Sequence, residues 1–231
     1  MIQRLVVLGM IAMLIIAGVS CGESGSGKTG AFTEYPPMDL DAKTDYALIL
    51  TTSAGRITLK LLPEEAPLAV NSLVFLANQG FYDGITFHRV LPGILAETGD
   101  PTGTGTGDAG YTFEIEPSQR PYERGTLAMA NTDESNSNSS RFFIILGDVT
   151  TNDALPGTST VVGHIKRTED GAHHKPSLRT LEKIEAVALG PNANGEVSAP
   201  LEPIELISIT VNLGCATSGG QYGGSWAGGD C

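Results

Sequence analysis

Residues 22–29 read Gly-Glu-Ser-Gly-Ser-Gly-Lys-Thr, a full match to the loop whose backbone N–H groups and lysine cradle nucleotide phosphates. Farther along, the step Phe-His-Arg at 87–89 sets an arginine inside a run of otherwise apolar residues. A guanidinium there either pairs with a carboxylate or offers a rigid plane of permanently charged donors to a substrate. His88 has the chemistry of a general base. His173 and His174 carry metal-binding side chains, but nothing at ligand spacing accompanies them. Three cysteines, Cys21, Cys215 and Cys231, complete the reactive set. They form no Cys-x-x-Cys or Cys/His pattern, so no metal site is expected.

A phosphate loop must leave a buried strand and run into a helix whose N-terminus faces the phosphates. Here Gly30, Pro36 and Pro37 follow, and they oppose a helix. Ahead of the loop stands an apolar run, residues 5–18, preceded by Arg4 and followed by small residues. It is too long for one core strand and too short for a comfortable membrane span. Its layout is that of a secretory signal peptide. The sequence Ala-Gly-Val-Ser-Cys at 17–21 resembles bacterial lipoprotein signals, cleaved just before a cysteine that becomes lipidated. Gly18 stands where that family usually has leucine. Residues 1–20 then read as a signal peptide, and 21–44 as a lipidated Cys21 with a Gly/Ser-type tether. No nucleotide binding is expected.

Removing these segments leaves about 185 residues, enough for one sizeable core. Residues 1–20 hold Arg4 as their one charged residue, so the remainder carries 13 basic against 26 acidic residues, a formal −13. Such a surface repels nucleic acid and anionic headgroups. Membrane association would come from the acyl chain, at the extracytoplasmic face of a bacterial envelope. Cys215 and Cys231 bracket a Gly-rich tail, 214–231. They are either free thiols or, in an exported chain, a disulfide pair, and the even remainder suggests the bridge.

From residue 45 the pattern is mainly β. Ile57, Leu59 and Leu61 alternate with Arg56, Thr58 and Lys60; Tyr111, Phe113 and Ile115 alternate likewise, as do Ile207, Ile209 and Val211. Short apolar runs at 46–50, 126–130, 142–146 and 160–165 fit strands buried more completely. One helix is expected after Pro67, with Glu64 and Glu65 complementing its dipole, Val70, Leu73, Val74 and Ala77 on its buried face, and Gly80 ending it. A second is expected over 177–184. Residues 166–177 and 190–200 read as surface loops. Many short strands with two helices imply a closed barrel capped at its ends, spanning 45–213.

The fragments FYDGITFHRVLPG, GDPTGTGTGDAGYTFE, RGTLAMAN, RFFIIL and VVGHI, in that order, resemble the cyclophilin-type peptidyl-prolyl cis-trans isomerases. The resemblance implies an eight-stranded antiparallel barrel capped by two helices, no cofactor, and proline-containing peptides or unfolded exported proteins as partners. It places Arg89 as the catalytic donor, backbone groups of Ala130 and Asn131 against the peptide, and Phe143 and Leu155 in the proline pocket. Since proline isomerisation transfers no proton, His88 is expected to be a satisfied core histidine.

The departures fall on the same site. Ile94 and Leu95 replace the usual Phe-Met pair, Glu97 replaces a glutamine that steadies the arginine, and Arg141 replaces a second glutamine. Ala154 stands in place of a tryptophan and Ser159 in place of a histidine. The expected function is an exported isomerase of weakened activity. The alternative is a catalytically inactive proline-peptide binding module or chaperone on the same scaffold. Glu97 could pair with Arg89 or with Arg141, and the two pairings have opposite consequences for turnover.

Overall fold

The computed structural model describes residues 31–132, 136–147, 159–166 and 174–214. Strands β1 (Tyr46–Thr52) and β2 (Gly55–Leu61) form a hairpin, followed by helix α1 (Pro67–Asn78). The short strands β3 (Ile85–Thr86), β4 (Arg89–Leu91) and β5 (Leu95–Thr98) come next, then β6 (Thr126–Met129), β7 (Phe142–Ile145) and β8 (Val161–Ile165). Helix α2 (Lys175–Glu185), the pair β9 (Leu189–Pro191) and β10 (Val197–Pro200), and the long β11 (Glu205–Leu213) complete the domain.

Nine strands share one antiparallel sheet in the order β3-β11-β1-β2-β8-β6-β7-β5-β4. The two edge strands, β3 and β4, are consecutive pieces of residues 85–91. The first pairs with β11 and the second with β5. Counted as one interrupted strand, they reduce the number to eight and bring the curled sheet round on itself. The fold is the mainly β, two-helix architecture expected.

Alternation decides what lies inside. Leu48 and Leu50 of β1, Ile57 and Leu59 of β2, and Phe142 and Ile144 of β7 are fully buried in one core. Each such side chain contributes about 2 kcal/mol relative to an exposed position. In β11 the expected face holds at Ile209 and Val211 but breaks at Ile207. Leu206 and Ile209 are buried while Ile207 is 49% exposed. The register of β1 on β11 slips between Thr51 and Thr52, so Thr51 faces Ser208 and Thr52 faces Leu206. Ile207 is the extra residue of this bulge, and it moves the inward face by one position.

Residues 111–116, read as a strand by their alternation, form a single bridge, Phe113 to Asn138. Their backbone is held mostly by side chains: Ser139 Oγ donates to the Tyr111 carbonyl, Asn138 Nδ2 to that of Glu114, and the Glu116 N–H donates to Thr160 Oγ1. Residues 190–200, read as a surface loop, contain the β9–β10 hairpin, in which Val197 faces Pro191 and Ala199 faces Gly190.

Helix α1 has Pro67 at its first turn and no side-chain cap of its own. Glu65, expected to complement its dipole, pairs instead with Arg120. The free N–H groups of Leu68 and Ala69 donate to the Glu116 carboxylate at 2.9 Å each, a cap supplied from 47–48 residues away. Gly80 follows the C-terminus at φ +62°, the left-handed conformation that closes a helix. Helix α2 lies on β2, where Thr180 Oγ1 donates to the Arg56 carbonyl and a Cβ at Gly55 would stand 2.5 Å from that oxygen. Glycine is required there by close approach as well as by its φ of +142°.

The second half of the expected tether is not free. Phe32, Tyr35 and Leu40 pack on the core, Tyr35 donates its hydroxyl to the Leu68 carbonyl, and the Asn71 amide donates to the Pro37 carbonyl. Cys21, Leu155, Cys215 and Cys231 lie outside the described residues, as do His173 and Ala154.

Candidate active site

The strand period builds the site. Along β7, Phe142 and Ile144 point to the core while Phe143 and Ile145 face the other way, and Leu95 and Glu97 of β5 share that outer side. Cross-strand register sets Arg89 opposite Glu97, Glu97 opposite Phe143, and Phe143 opposite Ala128. One row therefore runs across three strands from a guanidinium to an aromatic ring and ends on the fourth at Ala128.

The apolar end is a cluster separate from the core: Leu62, Leu95, Ala128, Ala130, Phe143, Ile145 and Val161, with Leu91, Ile94 and Tyr122 against it. Ile94, Leu95 and Phe143, expected at the proline pocket, thus come together with Ala130, whose backbone is expected against the peptide. Tyr122 was not anticipated. It reaches the cluster from the segment before β6, its ring 6.5 Å from that of Phe143 and tilted by 46°. An aromatic neighbour thus returns from a part of the chain where no pocket residue was sought. The Ala130 N–H is used within the sheet, donating to the Arg141 carbonyl at 3.0 Å. Both polar atoms of the Asn131 side-chain amide are buried without a hydrogen-bond partner among the described residues.

The polar end contains two arginines and two glutamates. Glu97, 7% exposed, lies between Arg141, whose Nη1 donates to Oε1 at 3.3 Å, and Arg89, whose Nη1 stands 3.8 Å from Oε2. Arg141 also donates to the Gly105 carbonyl at 2.7 Å, tying the Gly/Thr loop to this end of the site. That loop is organised by Asp100, which accepts the N–H groups of Thr102 and Gly105 and the Thr102 hydroxyl. These donors hold the Asp100 carboxyl below its ordinary range, although burial opposes them. The His88 side chain is 5% exposed, with Nε2 3.5 Å from Glu97 and Nδ1 without a partner among the described residues, so the expected satisfied histidine is only half satisfied.

The strongest contact of Arg89 is one the sequence did not suggest. Its Nε and Nη2 donate to the two oxygens of Glu196 at 2.8 and 2.9 Å, a bidentate pair from the tip of the β9–β10 hairpin. The Arg89 hydrogen bonds pull the Glu196 carboxyl down to about 2 against opposing desolvation, with Ser198 and Asn192 assisting. In return Glu196 raises Arg89 above its already high value. The sequence did hold one signal, because Asn194-Gly195 is a strong hairpin-turn dipeptide, and Gly195 adopts φ +82°. No local pattern could show which residue 107 positions away the hairpin would meet.

Among the described residues no group of three or more His, Cys, Asp or Glu side chains could hold a metal ion. His174 sits at the start of α2 with Nδ1 2.8 Å from Ser177 Oγ. No described helix is long and apolar enough to cross a membrane.

A curled antiparallel sheet with a guanidinium beside an outward-facing apolar cluster is the arrangement that the fold and this face define. The family follows from comparison with known proteins. Residues 47–211 match the family described as cyclophilin type peptidyl-prolyl cis-trans isomerase/CLD, and the chain belongs to it. It is 40% identical over 145 residues to a peptidyl-prolyl cis-trans isomerase of Helicobacter pylori strain J99, covering 62% of this chain and 82% of that one. Against the Synechococcus elongatus isomerase it is 40% identical over 147 residues, 63% and 97% of the two chains. The solved structure of a Cryptosporidium parvum cyclophilin type isomerase, in the presence of the dipeptide Ala-Pro, superposes with a TM-score of 0.60 at 25% identity, covering 72% of this chain and 98% of that one. The protein is a peptidyl-prolyl cis-trans isomerase.

Proposed function

We propose that this isomerase acts on exported proteins from a lipid-anchored position outside the cytoplasm, with Arg89 as its catalytic residue and a weakened activity. The observation that carries the assignment is the cross-strand row placing Arg89 and Phe143 on one outer face, either side of Glu97.

Rotation about an X–Pro bond has a barrier of roughly 20 kcal/mol, because the nitrogen lone pair is delocalised into the carbonyl. A proline ring seated among Leu95, Ala130 and Phe143, with Leu155 as a further wall, leaves the preceding carbonyl free to turn. Arg89 donates to the prolyl nitrogen. That bond forms only when the amide is twisted and the nitrogen pyramidal, so it favours the transition state over both ground states. Backbone groups of Ala130 and Asn131 hold the rest of the peptide. The aliphatic Ile94 and Leu95, in place of the usual Phe-Met pair, and Ala154, in place of a tryptophan, support the reduced turnover. The site for exported clients rests on the signal-like segment and Cys21.

The test is an isomerisation assay on the full chain with a proline tetrapeptide. The expected result is turnover above the uncatalysed rate that falls at least ~10-fold in kcat/KM in Arg89→Ala, about 1.4 kcal/mol of transition-state stabilisation. Binding of proline peptides with no turnover would support the binding-module alternative, and turnover insensitive to Arg89→Ala would place the donor elsewhere.

A further inference from the structure

We propose that Glu196 is a positioning residue for the isomerase reaction, holding the Arg89 guanidinium off Glu97 and aimed across the pocket. The inference rests on the assignment of Arg89 as the donor.

The geometry is that of a built holder. Asn192 shapes the hairpin tip: its Oδ1 accepts the N–H groups of Asn194 and Glu196, and its Nδ2 donates to Glu196 Oε2 and to Ser198 Oγ. The Asn192 N–H donates in turn to the Glu196 carbonyl at 2.8 Å. Glu196 is therefore fixed at both backbone and side chain before it meets the arginine. A guanidinium has five N–H donors in one plane, and the bidentate contact uses one on Nε and one on Nη2. Three remain, two of them on Nη1, which is the nitrogen nearest Glu97.

Two carboxylates compete for Arg89. Glu97 belongs to the adjoining strand and stands opposite it in register; Glu196 arrives from outside the row. The better geometry lies with Glu196, 2.8 and 2.9 Å against 3.8 Å. Without Glu196 the side chain would settle onto Glu97, which would accept the Nη1 donors and turn the plane away from the substrate. Glu97 meanwhile has Arg141 as its own partner. Holding a donor in place before the reaction removes reorganisation from the chemical step, so the effect should fall on kcat and not on binding.

Full-length wild type, Glu196→Ala and Glu196→Gln are assayed with a proline tetrapeptide, alone and combined with Arg89→Ala or Glu97→Gln. Glu196→Ala should lower kcat about tenfold with KM within about twofold, and Glu196→Gln, which keeps one acceptor, should fall between. The loss should vanish in the Arg89→Ala background and shrink in the Glu97→Gln background, where the competing acceptor has lost its charge. The Arg89 Nε–H resonance should be protected from exchange in the wild type and unprotected in Glu196→Ala. A kcat unchanged or raised by both Glu196 variants overturns the proposal, as does an equal loss when Arg89 is already alanine. A wild type without any turnover overturns the isomerase mechanism itself and this inference with it, whereas the other two outcomes leave that mechanism standing.

Discussion

Arg89 and Glu97 face each other across neighbouring strands and yet do not hydrogen bond; the nearest approach is 3.8 Å. Glu97 accepts its hydrogen bond from Arg141, and Arg89 donates two to Glu196. Of the two pairings open to Glu97 in the sequence, the Arg141 pairing is the one with a hydrogen bond.

Glu97→Gln should therefore not release Arg89 into higher activity. The expected kcat/KM is unchanged or lower, within about threefold of wild type, or about 0.65 kcal/mol. Steady-state kinetics decide the matter, and a clear increase would mean that Glu97 restrains Arg89 in solution. Glu97→Ala, which leaves Arg141 without its carboxylate, should cost about 2 kcal/mol of stability by denaturant titration.

Phe143 is 2% exposed and central to the outer cluster, so truncation to alanine would cost about 3–5 kcal/mol of fold and obscure its role. Phe143→Leu keeps most of the volume. It should raise KM for a proline peptide about fivefold, near 1 kcal/mol, with kcat little changed. A loss confined to kcat would show that the ring does not contact the substrate in its ground state.

The Glu196 carboxyl gives a pH signature. Its folded value, about 2, lies below the ordinary carboxylate range. Its stabilising contribution is complete above the unfolded value of about 4.3 and is lost as pH falls toward 2. The difference in melting temperature between wild type and Glu196→Gln should stay constant from neutral pH to about 5 and close on further acidification. A difference that persists undiminished to pH 2 would show that the carboxylate charge does not stabilise the hairpin.

Glu116 caps α1 from a distant segment, accepting two first-turn N–H groups. Glu116→Ala should lower stability by about 1–2 kcal/mol, or roughly 4 °C in Tm, measured by thermal denaturation. An unchanged Tm would show that water replaces the cap without loss.

Cys21 carries the anchoring proposal. Cys21→Ser should give an uncleaved precursor without acylation when produced in a bacterial host, read by intact mass. A wild-type chain that matures elsewhere, or carries no acyl group, removes the anchor. Non-reducing peptide mapping of the same material tests the proposed bridge between Cys215 and Cys231, which two alkylatable thiols would exclude.

Much of the barrel was legible because strands buried on one face alternate, and those buried on both read as short apolar runs. The failures have separate physical causes. In β11 one inserted residue, Ile207, shifts the inward face, and nothing in the local pattern marks the insertion. Tyr111 and Phe113 alternate like a strand because both are buried, but the backbone groups of Tyr111, Glu114 and Glu116 bond to the side chains of Ser139, Asn138 and Thr160. The outer cluster was largely readable through family motifs, while Tyr122 and Glu196 were not. Both reach the site from segments whose own sequence describes only turns and loops, and long-range register, not local preference, brings them there.

The chain enters and leaves the sheet at one point: Tyr46 faces Leu213, and the Gly214 N–H donates to the Asp45 carbonyl at 2.7 Å. Antiparallel strands loaded from the same end part like a zipper, one pair at a time, instead of resisting along their whole length. Tension applied between residues 45 and 214 would therefore open the β1–β11 ladder rung by rung at low force. Tension carried through the N-terminal side alone would first draw Phe32 and Tyr35 off α1 and leave that ladder unloaded. Holding the domain by one end is the arrangement its seam can tolerate.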